Sequence, residues 1–121
     1  MRPNRILVID DEPSVTDALS FVLGELGHQV DTSKNGAEAR QLLKGSAYDL
    51  IFTDVRLPDA SGIDLLALIK SDSPDTQVIV MSAHGSLDIT IEAIKRGAFY
   101  YIEKPFTPQQ VTALIERALQ F

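Results

Sequence analysis

The sequence contains no cysteine, which excludes disulfides and thiolate metal sites. It has two histidines, His28 and His84, too few for a histidine-rich zinc site. Positive charge is also scarce: 11 Lys and Arg against 17 Asp and Glu leave a net charge of −6. Neutralising nucleic-acid phosphates takes clustered Lys and Arg, so no direct nucleic-acid binding is expected. No apolar run approaches the length of a membrane span, and Met1-Arg2-Pro3-Asn4 does not lead into a signal-peptide pattern. The expectation is a soluble cytoplasmic domain with no membrane partner. Internal repeats, low-complexity segments and internal linkers are absent too. What is there is a 121-residue chain, 45% hydrophobic, long enough for one domain (1–121) with a full core. It reads either as a whole small protein or as a domain excised from a longer one.

Taken in order, residues 5–10 predict a first strand that runs straight into Asp10-Asp11-Glu12. Acids and Pro13 suit the start of a helix, and Val15, Ala18, Leu19, Val22, Leu23 and Leu26 form its apolar stripe, with Gly27 as the stop. His28 to Ser33 is a short strand, and Asn35 is placed to cap a helix that Gly45 ends. Leu50-Ile51-Phe52 reads as a strand buried on both faces, ending at Asp54, with Pro58 and Gly62 fixing a turn beyond it. A short helix over Ile63–Lys70, a turn at residues 72–75 and a buried strand over Gln77–Ser82 follow. Leu87 to Arg96 predicts a helix with a poor stripe, since Ile89, Ile91, Ala93 and Ile94 do not share one face. Phe99 to Glu103 is the fifth strand. Thr107 and Pro108 open a last helix whose buried stripe is Val111, Leu114, Ile115, Ala118 and Leu119. Strands alternating with helices imply an α/β fold: a doubly wound, three-layer, five-stranded parallel sheet.

In such a sheet, ligand chemistry gathers outside the carboxyl ends of the strands. Asp10 and Asp11 follow the first strand, Asp54 ends the third, Ser82 ends the fourth and Lys104 follows the fifth. Each has a bland reading. Acids after strands often sit in turns or cap helices, a lysine before a turn is often just exposed, and a serine most often bonds nearby backbone. Together they are harder to dismiss, because crowded carboxylates repel unless a cation offsets them. An all-oxygen donor set suits Mg²⁺, which takes one or two carboxylates, keeps waters and contacts a phosphate. Lys104 can neutralise the acids at rest and hold a phosphoryl oxygen later. Tyr101 reads as half core, aromatics being common in edge strands.

Asp10-Asp11, Asp54 with Pro58 and Gly62, Ser82-Ala83, and Lys104-Pro105-Phe106, in this order and spacing, resemble a receiver domain of a two-component response regulator. The resemblance spans residues 5–119 and implies a flavodoxin-like sheet of strand order 2-1-3-4-5. It implies Asp54 as the phosphoacceptor. It also implies Mg²⁺ held by Asp11, Asp54 and the backbone carbonyl of Arg56, with Asp10 acting mainly through water. Ser82 and Lys104 would contact the phosphoryl group, Tyr101 would be the switch aromatic, and the Lys104–Pro105 peptide would be cis. Arg56 and His84, two residues past Asp54 and Ser82, are placed to flank the phosphoryl group and tune its lifetime. Met81 to Gly85 and Gly97 to Phe106 are similar to receivers of the nitrogen-regulatory class, which usually precede an ATPase that activates sigma-54 polymerase and a DNA-binding domain. Tyr100 and Glu103 stand where that class often has aspartate and proline, and Ser82 replaces the more frequent threonine.

The function implied is a phosphorylation-dependent switch rather than an enzyme with a substrate of its own. A sensor histidine kinase or phosphotransfer protein would donate the phosphoryl group. The space vacated when Ser82 moves inward would let Tyr101 turn toward the interior. The face formed by residues 87–119 would relay the change to an effector, for transcription, either following Phe121 or on a separate protein, with a phosphorylation-favoured homodimer expected. Three rivals remain. A metal-dependent phosphohydrolase of haloacid-dehalogenase type would want an aspartate where Arg56 stands. A flavin or nucleotide module would want a Gly-rich or Ser/Thr-rich loop where Asp11-Glu12-Pro13 stands. An inactive pseudo-receiver used only for contact would share the fold, and the intact set of acids, hydroxyl and lysine argues against it.

Overall fold

The computed structural model describes residues 4–83, 85 and 87–119. Five strands alternate with five helices: β1 (Arg5–Ile9), α1 (Pro13–Glu25), β2 (Gln29–Ser33), α2 (Gly36–Gly45), β3 (Leu50–Asp54), α3 (Gly62–Asp72), β4 (Gln77–Ser82), α4 (Leu87–Lys95), β5 (Tyr100–Glu103) and α5 (Pro108–Ala118). The strands form one parallel sheet in the order β2-β1-β3-β4-β5. Boundaries differ from the sequence reading by a residue or two. β1 stops at Ile9, β2 starts at Gln29, β5 starts at Tyr100, and α3 runs on to Asp72.

The apolar runs are continuous because the sheet is covered on both sides, and their alternation sorts them between two cores. Ile6, Val8, Leu50, Phe52, Ile79, Met81 and Ile102 face α1 and α5. Leu7, Ile9, Ile51, Val78 and Val80 face the opposite way, onto α2, α3 and α4. Complete burial of each such side chain is worth about 1.5–3 kcal/mol. A one-residue slip of β3 would exchange the two sets, so its register against β1 (Ile6↔Leu50, Val8↔Phe52) is strongly specified.

The helix ends follow local chemistry. Asn35 Oδ1 accepts from Glu38 N at 2.8 Å, as its position predicts. Thr107 and Gln110 form a reciprocal capping box ahead of α5. Gly27 and Gly97 take positive φ of 90° and 100°, which ends α1 and α4 without the penalty a side chain would carry. The start of α1 departs from expectation. Glu12 is its N-cap residue yet makes no side-chain capping bond, and the first turn contains no acid. The Glu12 carboxylate is engaged elsewhere.

α4 is thinly packed, as its stripe predicts. Ala93 is its one buried residue, Ile89 joins the α2–α3–α4 core from the margin, and Leu87, Ile91 and Ile94 are exposed. No helix among the described residues is long and apolar enough to cross a membrane.

The strand order places the site. The chain steps from β1 outward to β2, then returns to the other side of β1 for β3. The crevice at that reversal, beyond the carboxyl ends of β1 and β3, is where a sheet of this kind binds its ligands. Ile9 pairs with Thr53, so Asp10, just past β1, and Asp54, the last residue of β3, open into that crevice.

Candidate phosphoryl and metal site

Asp10 and Asp54 are 1% and 8% exposed, an expensive position for two carboxylates unless a cation joins them. Lys104 is that cation. Its Nζ lies 2.6 Å from Asp10 Oδ2, 3.1 Å from Asp54 Oδ2 and 3.2 Å from Glu12 Oε1. The lysine reaches them because β5 ends beside β4: Lys104 N donates to Ser82 O at 2.8 Å. Burial by itself lowers the Lys104 pKa, but hydrogen bonds to Asp10 and Asp54 more than offset this and leave it raised. Burial raises the Asp10 carboxyl, opposed by the Lys104 hydrogen bond and by the Glu12 amide, which donates to Asp10 Oδ1 at 3.0 Å.

Carboxylate oxygens of Asp10, Asp11, Glu12 and Asp54 all lie within 4.8 Å of one another. The donor set is oxygen alone, from hard ligands, which fits Mg²⁺ and excludes the softer metals that want sulfur or imidazole. Asp11 and Glu12 are exposed and reachable, while Asp10 and Asp54 form the floor. A cleft of about 200 Å³ opens over Asp54, lined by Asp11, Glu12, Asp54, Arg56, Ser82 and Ala83. A larger cavity of about 280 Å³ lies between α2 and α3 at the amino ends of the strands and contains none of the four clustered acids.

The loop after β3 is shaped by Gly62. A β-carbon there would overlap the Asp54 carbonyl oxygen, so no other residue lets the turn close. Gly62 N donates to Val55 O at 2.7 Å, Leu57 N to Ala60 O at 3.1 Å, and Arg56 bridges to Ser61. Arg56 N approaches Asp54 Oδ1 at 3.4 Å, a weak bond. The tip of the loop is tied outward. Asp59 takes the Gly36 and Ala37 amides on its two oxygens at 2.7 and 3.0 Å, and the Gly36 bond holds its carboxyl below the usual range.

Thus Asp10, Asp11, Asp54, Arg56, Ser82 and Lys104 line or floor one crevice. Ser82 is buried at its edge as the last residue of β4. The Lys104–Pro105 peptide is cis, as the family resemblance implies. Tyr101 stands apart, on β5, half-buried against the α2–α3–α4 core. Its hydroxyl is already in the interior and has no hydrogen-bond partner among the described residues, whereas the resemblance implied an inward turn only on phosphorylation. His84 lies outside the described residues. Two residues that sequence reasoning passed over belong here. Glu12, read as helix-start chemistry, is a third partner of Lys104. Asp59, read as part of a turn, anchors the loop. Adjacency to Asp10-Asp11 was a signal for the first; the second had none.

Buried acids and a lysine at the switch point of a five-stranded 2-1-3-4-5 sheet are one finding, and sequence comparison supplies the other. Residues 6–116 match the family described as the response regulator receiver domain. The chain belongs to that family. Among its curated relatives, the response regulator protein PilR of Pseudomonas aeruginosa is 39% identical over 99% of this chain and 27% of its own length. The DNA-binding transcriptional regulator NtrC of Azospirillum brasilense is 41% identical over 94% of this chain and 24% of its own. The receiver therefore spans about a quarter of the length of these relatives. A solved structure described as the beryllofluoride-activated NtrC4 receiver domain dimer superposes with a TM-score of 0.91, at 41% identity and 96% coverage of both chains. The nitrogen-regulatory likeness read from the sequence is thereby borne out, and so is the fold. The receiver is a signalling domain of the PilR and NtrC type.

Proposed function

We propose that this receiver accepts a phosphoryl group on Asp54 from the phosphohistidine of a sensor histidine kinase or phosphotransfer protein. The N–P bond of the donor breaks, its electron pair stays with the imidazole, and an O–P bond forms to an Asp54 carboxylate oxygen. The product is an acyl phosphate, which water later hydrolyses without a separate enzyme. Such transfer needs little covalent help and depends on positioning and charge neutralisation. The observation that supports this reading is the placing of Lys104 Nζ, 3.1 Å from Asp54 and 2.6 Å from Asp10.

Asp11, Asp54 and the Arg56 carbonyl would hold Mg²⁺, with Asp10 acting through water. When bound, the ion supplies positive charge to the phosphoryl oxygens. Lys104 neutralises a further oxygen, and Ser82 contributes its hydroxyl. Arg56 and His84 tune the lifetime of the phosphoryl group. The added charge, roughly −1.5 to −2 by analogy with other phosphorylated side chains, draws on Lys104 and Ser82 and shifts the population of the Ser82–Tyr101 switch. The face formed by residues 87–119 relays this shift. Residues 1–121 act as the receiver of a longer regulator, or on an effector carried by a separate protein. The likeness to NtrC and PilR supports a transcriptional output in the cytoplasm, and the dimeric NtrC4 receiver supports pairing of this chain with itself. The test is intact-mass measurement after incubation with Mg²⁺ and acetyl phosphate. One phosphoryl group should add to the wild type and none to Asp54→Asn; full labelling of that variant would refute the assignment.

A further inference from the structure

Between β3 and α3 the loop closes on itself through Gly62, Leu57 and the Arg56–Ser61 bridge. Those bonds give the loop its shape. The β1–β3 ladder, with Ile9 opposite Thr53, already holds Asp54 beside Asp10, but the loop beyond Asp54 needs its own tie to the β2–α2 side of the crevice. That connection is made by Asp59. Its two oxygens take the first two amides of α2, Gly36 N at 2.7 Å and Ala37 N at 3.0 Å. Both amides lack partners within their own helix, and the helix amino terminus favours a negative group there.

The approach is close. A β-carbon on Gly36 would stand 2.8 Å from Ala60 Cβ and 3.2 Å from Asp59 Oδ1, so residue 36 must be small for the loop to dock. α2 is in turn joined to β1 through the end of β2. Asp10 N donates to Ser33 O at 3.0 Å, and Ser33 Oγ to Asn35 O at 3.3 Å. A chain of bonds therefore leads from Asp10 round through α2 to Asp59 and back along the loop to Arg56 and Asp54. It runs round the acid cluster, with Asp10 at one end and Asp54 at the other.

We propose that Asp59 is a positioning residue for metal binding and phosphoryl acceptance: clamped on the α2 amino terminus, it sets where the loop beyond Asp54, and with it the Arg56 carbonyl, stands relative to Asp10 and Asp11. The inference rests on the reading of the acid cluster as the Mg²⁺ and phosphoryl site. Groups that orient ligands from behind are worth about 10–100-fold in metal affinity, even though they never touch the ion. Asp59 acts through the backbone of residues 56–58 rather than through a ligand side chain, so the lower end of that range is expected.

Isothermal titration calorimetry of Mg²⁺ into the whole chain tests it, on the wild type and on Asp59→Ala, Asp59→Asn and Asn35→Ala. Asn35→Ala removes the other α2 cap, the bond from Glu38 N at 2.8 Å, and leaves the loop after β3 untouched. It controls for loss of helix stability alone. Both alanine variants should melt lower than the wild type. The Mg²⁺ Kd should rise on the order of tenfold in Asp59→Ala, by less in Asp59→Asn, which keeps one acceptor, and not at all in Asn35→Ala. The rate of labelling by acetyl phosphate at limiting Mg²⁺ should follow the same order. A Kd unchanged in Asp59→Ala would overturn the inference while leaving the Asp54 reading intact. No Mg²⁺ binding by the wild type would overturn both. Should Asp59→Ala fail to fold, Asp59→Asn decides, and a wild-type Kd in that variant overturns the proposal.

Discussion

Lys104 Nζ and Asp10 Oδ2 stand 2.6 Å apart with side chains 9% and 0% exposed, so the pair is withdrawn from solvent. Removing one member of a buried pair leaves the other uncompensated, which typically costs about 3–5 kcal/mol. Here two further acids lean on the same lysine. Lys104→Met should therefore lower the unfolding free energy by about 3 kcal/mol in metal-free buffer. Added Mg²⁺ should raise the melting temperature of the variant by more than that of the wild type, since the ion replaces the lost positive charge. Urea unfolding with and without Mg²⁺ checks both. Equal stability of Lys104→Met and wild type without metal would mean that Lys104 does not balance the acids.

Asp11 is the counter-case. It belongs to the acid cluster but is exposed and has no ion pair among the described residues. Repulsion is therefore what it contributes in the absence of metal. Asp11→Ala should weaken Mg²⁺ binding and melt no lower than the wild type in metal-free buffer. A clear drop in melting temperature would instead give Asp11 a structural role, such as a helix cap worth ~1 kcal/mol.

His28 supplies a pH dependence away from the site. It is buried, and its Nδ1 accepts a bond from Asn4 N at 3.2 Å, which requires the neutral ring. Burial holds its pKa below the ordinary 6.5, partly countered by Asp49. The unfolded chain therefore binds a proton that the folded chain refuses. The contribution of His28 is complete above about pH 6.5 and is lost as pH falls from there toward the folded value. His28→Gln should flatten the pH dependence of the urea midpoint between about pH 7.5 and pH 5.5. An identical slope in variant and wild type would show that His28 is not the group responsible.

The face of α4 should respond most to the phosphorylated state. Moving this helix forfeits little packing, because Ala93 is its one buried residue and Leu87, Ile91 and Ile94 are already exposed. Beryllofluoride with Mg²⁺ stands in for the phosphoryl group on an aspartate. Its addition should change amide hydrogen exchange in Leu87–Lys95 and Tyr100–Glu103 more than in Pro13–Glu25 or Gly36–Gly45. Changes confined to the last two segments would contradict the assignment of the output face.

What was legible in the sequence was what periodicity and strand-end position report. Leu50-Ile51-Phe52 is apolar on successive residues because both faces of β3 are covered, and Asp54 follows because the strand ends at a crevice. Thr107 and Pro108 announced the start of α5, and Asn35 that of α2, because caps act on their own helix. Long-range polar partners were not legible. Glu12 looks like a helix-start acid until the fold brings Lys104, 92 residues away, within 3.2 Å. Asp59 looks like an ordinary turn residue until α2, 22 or 23 residues earlier, presents its free amides. The inward Tyr101 hydroxyl was hidden for the same reason, since the choice between two rotamers is settled by neighbours from other strands and helices.

Asp54 should carry the phosphoryl group as an acyl phosphate. Borohydride reduction tests it most directly, because an aspartyl phosphate is reduced to homoserine while a free carboxylate and the phosphoesters of Ser and Thr are not. After treatment with Mg²⁺ and acetyl phosphate, then borohydride, tryptic peptides read by mass spectrometry should show homoserine in place of Asp54 and Asp10 and Asp11 unchanged. Reduction at Asp10 or Asp11 with Asp54 intact, or phosphate found only on a hydroxyl residue, would contradict the account.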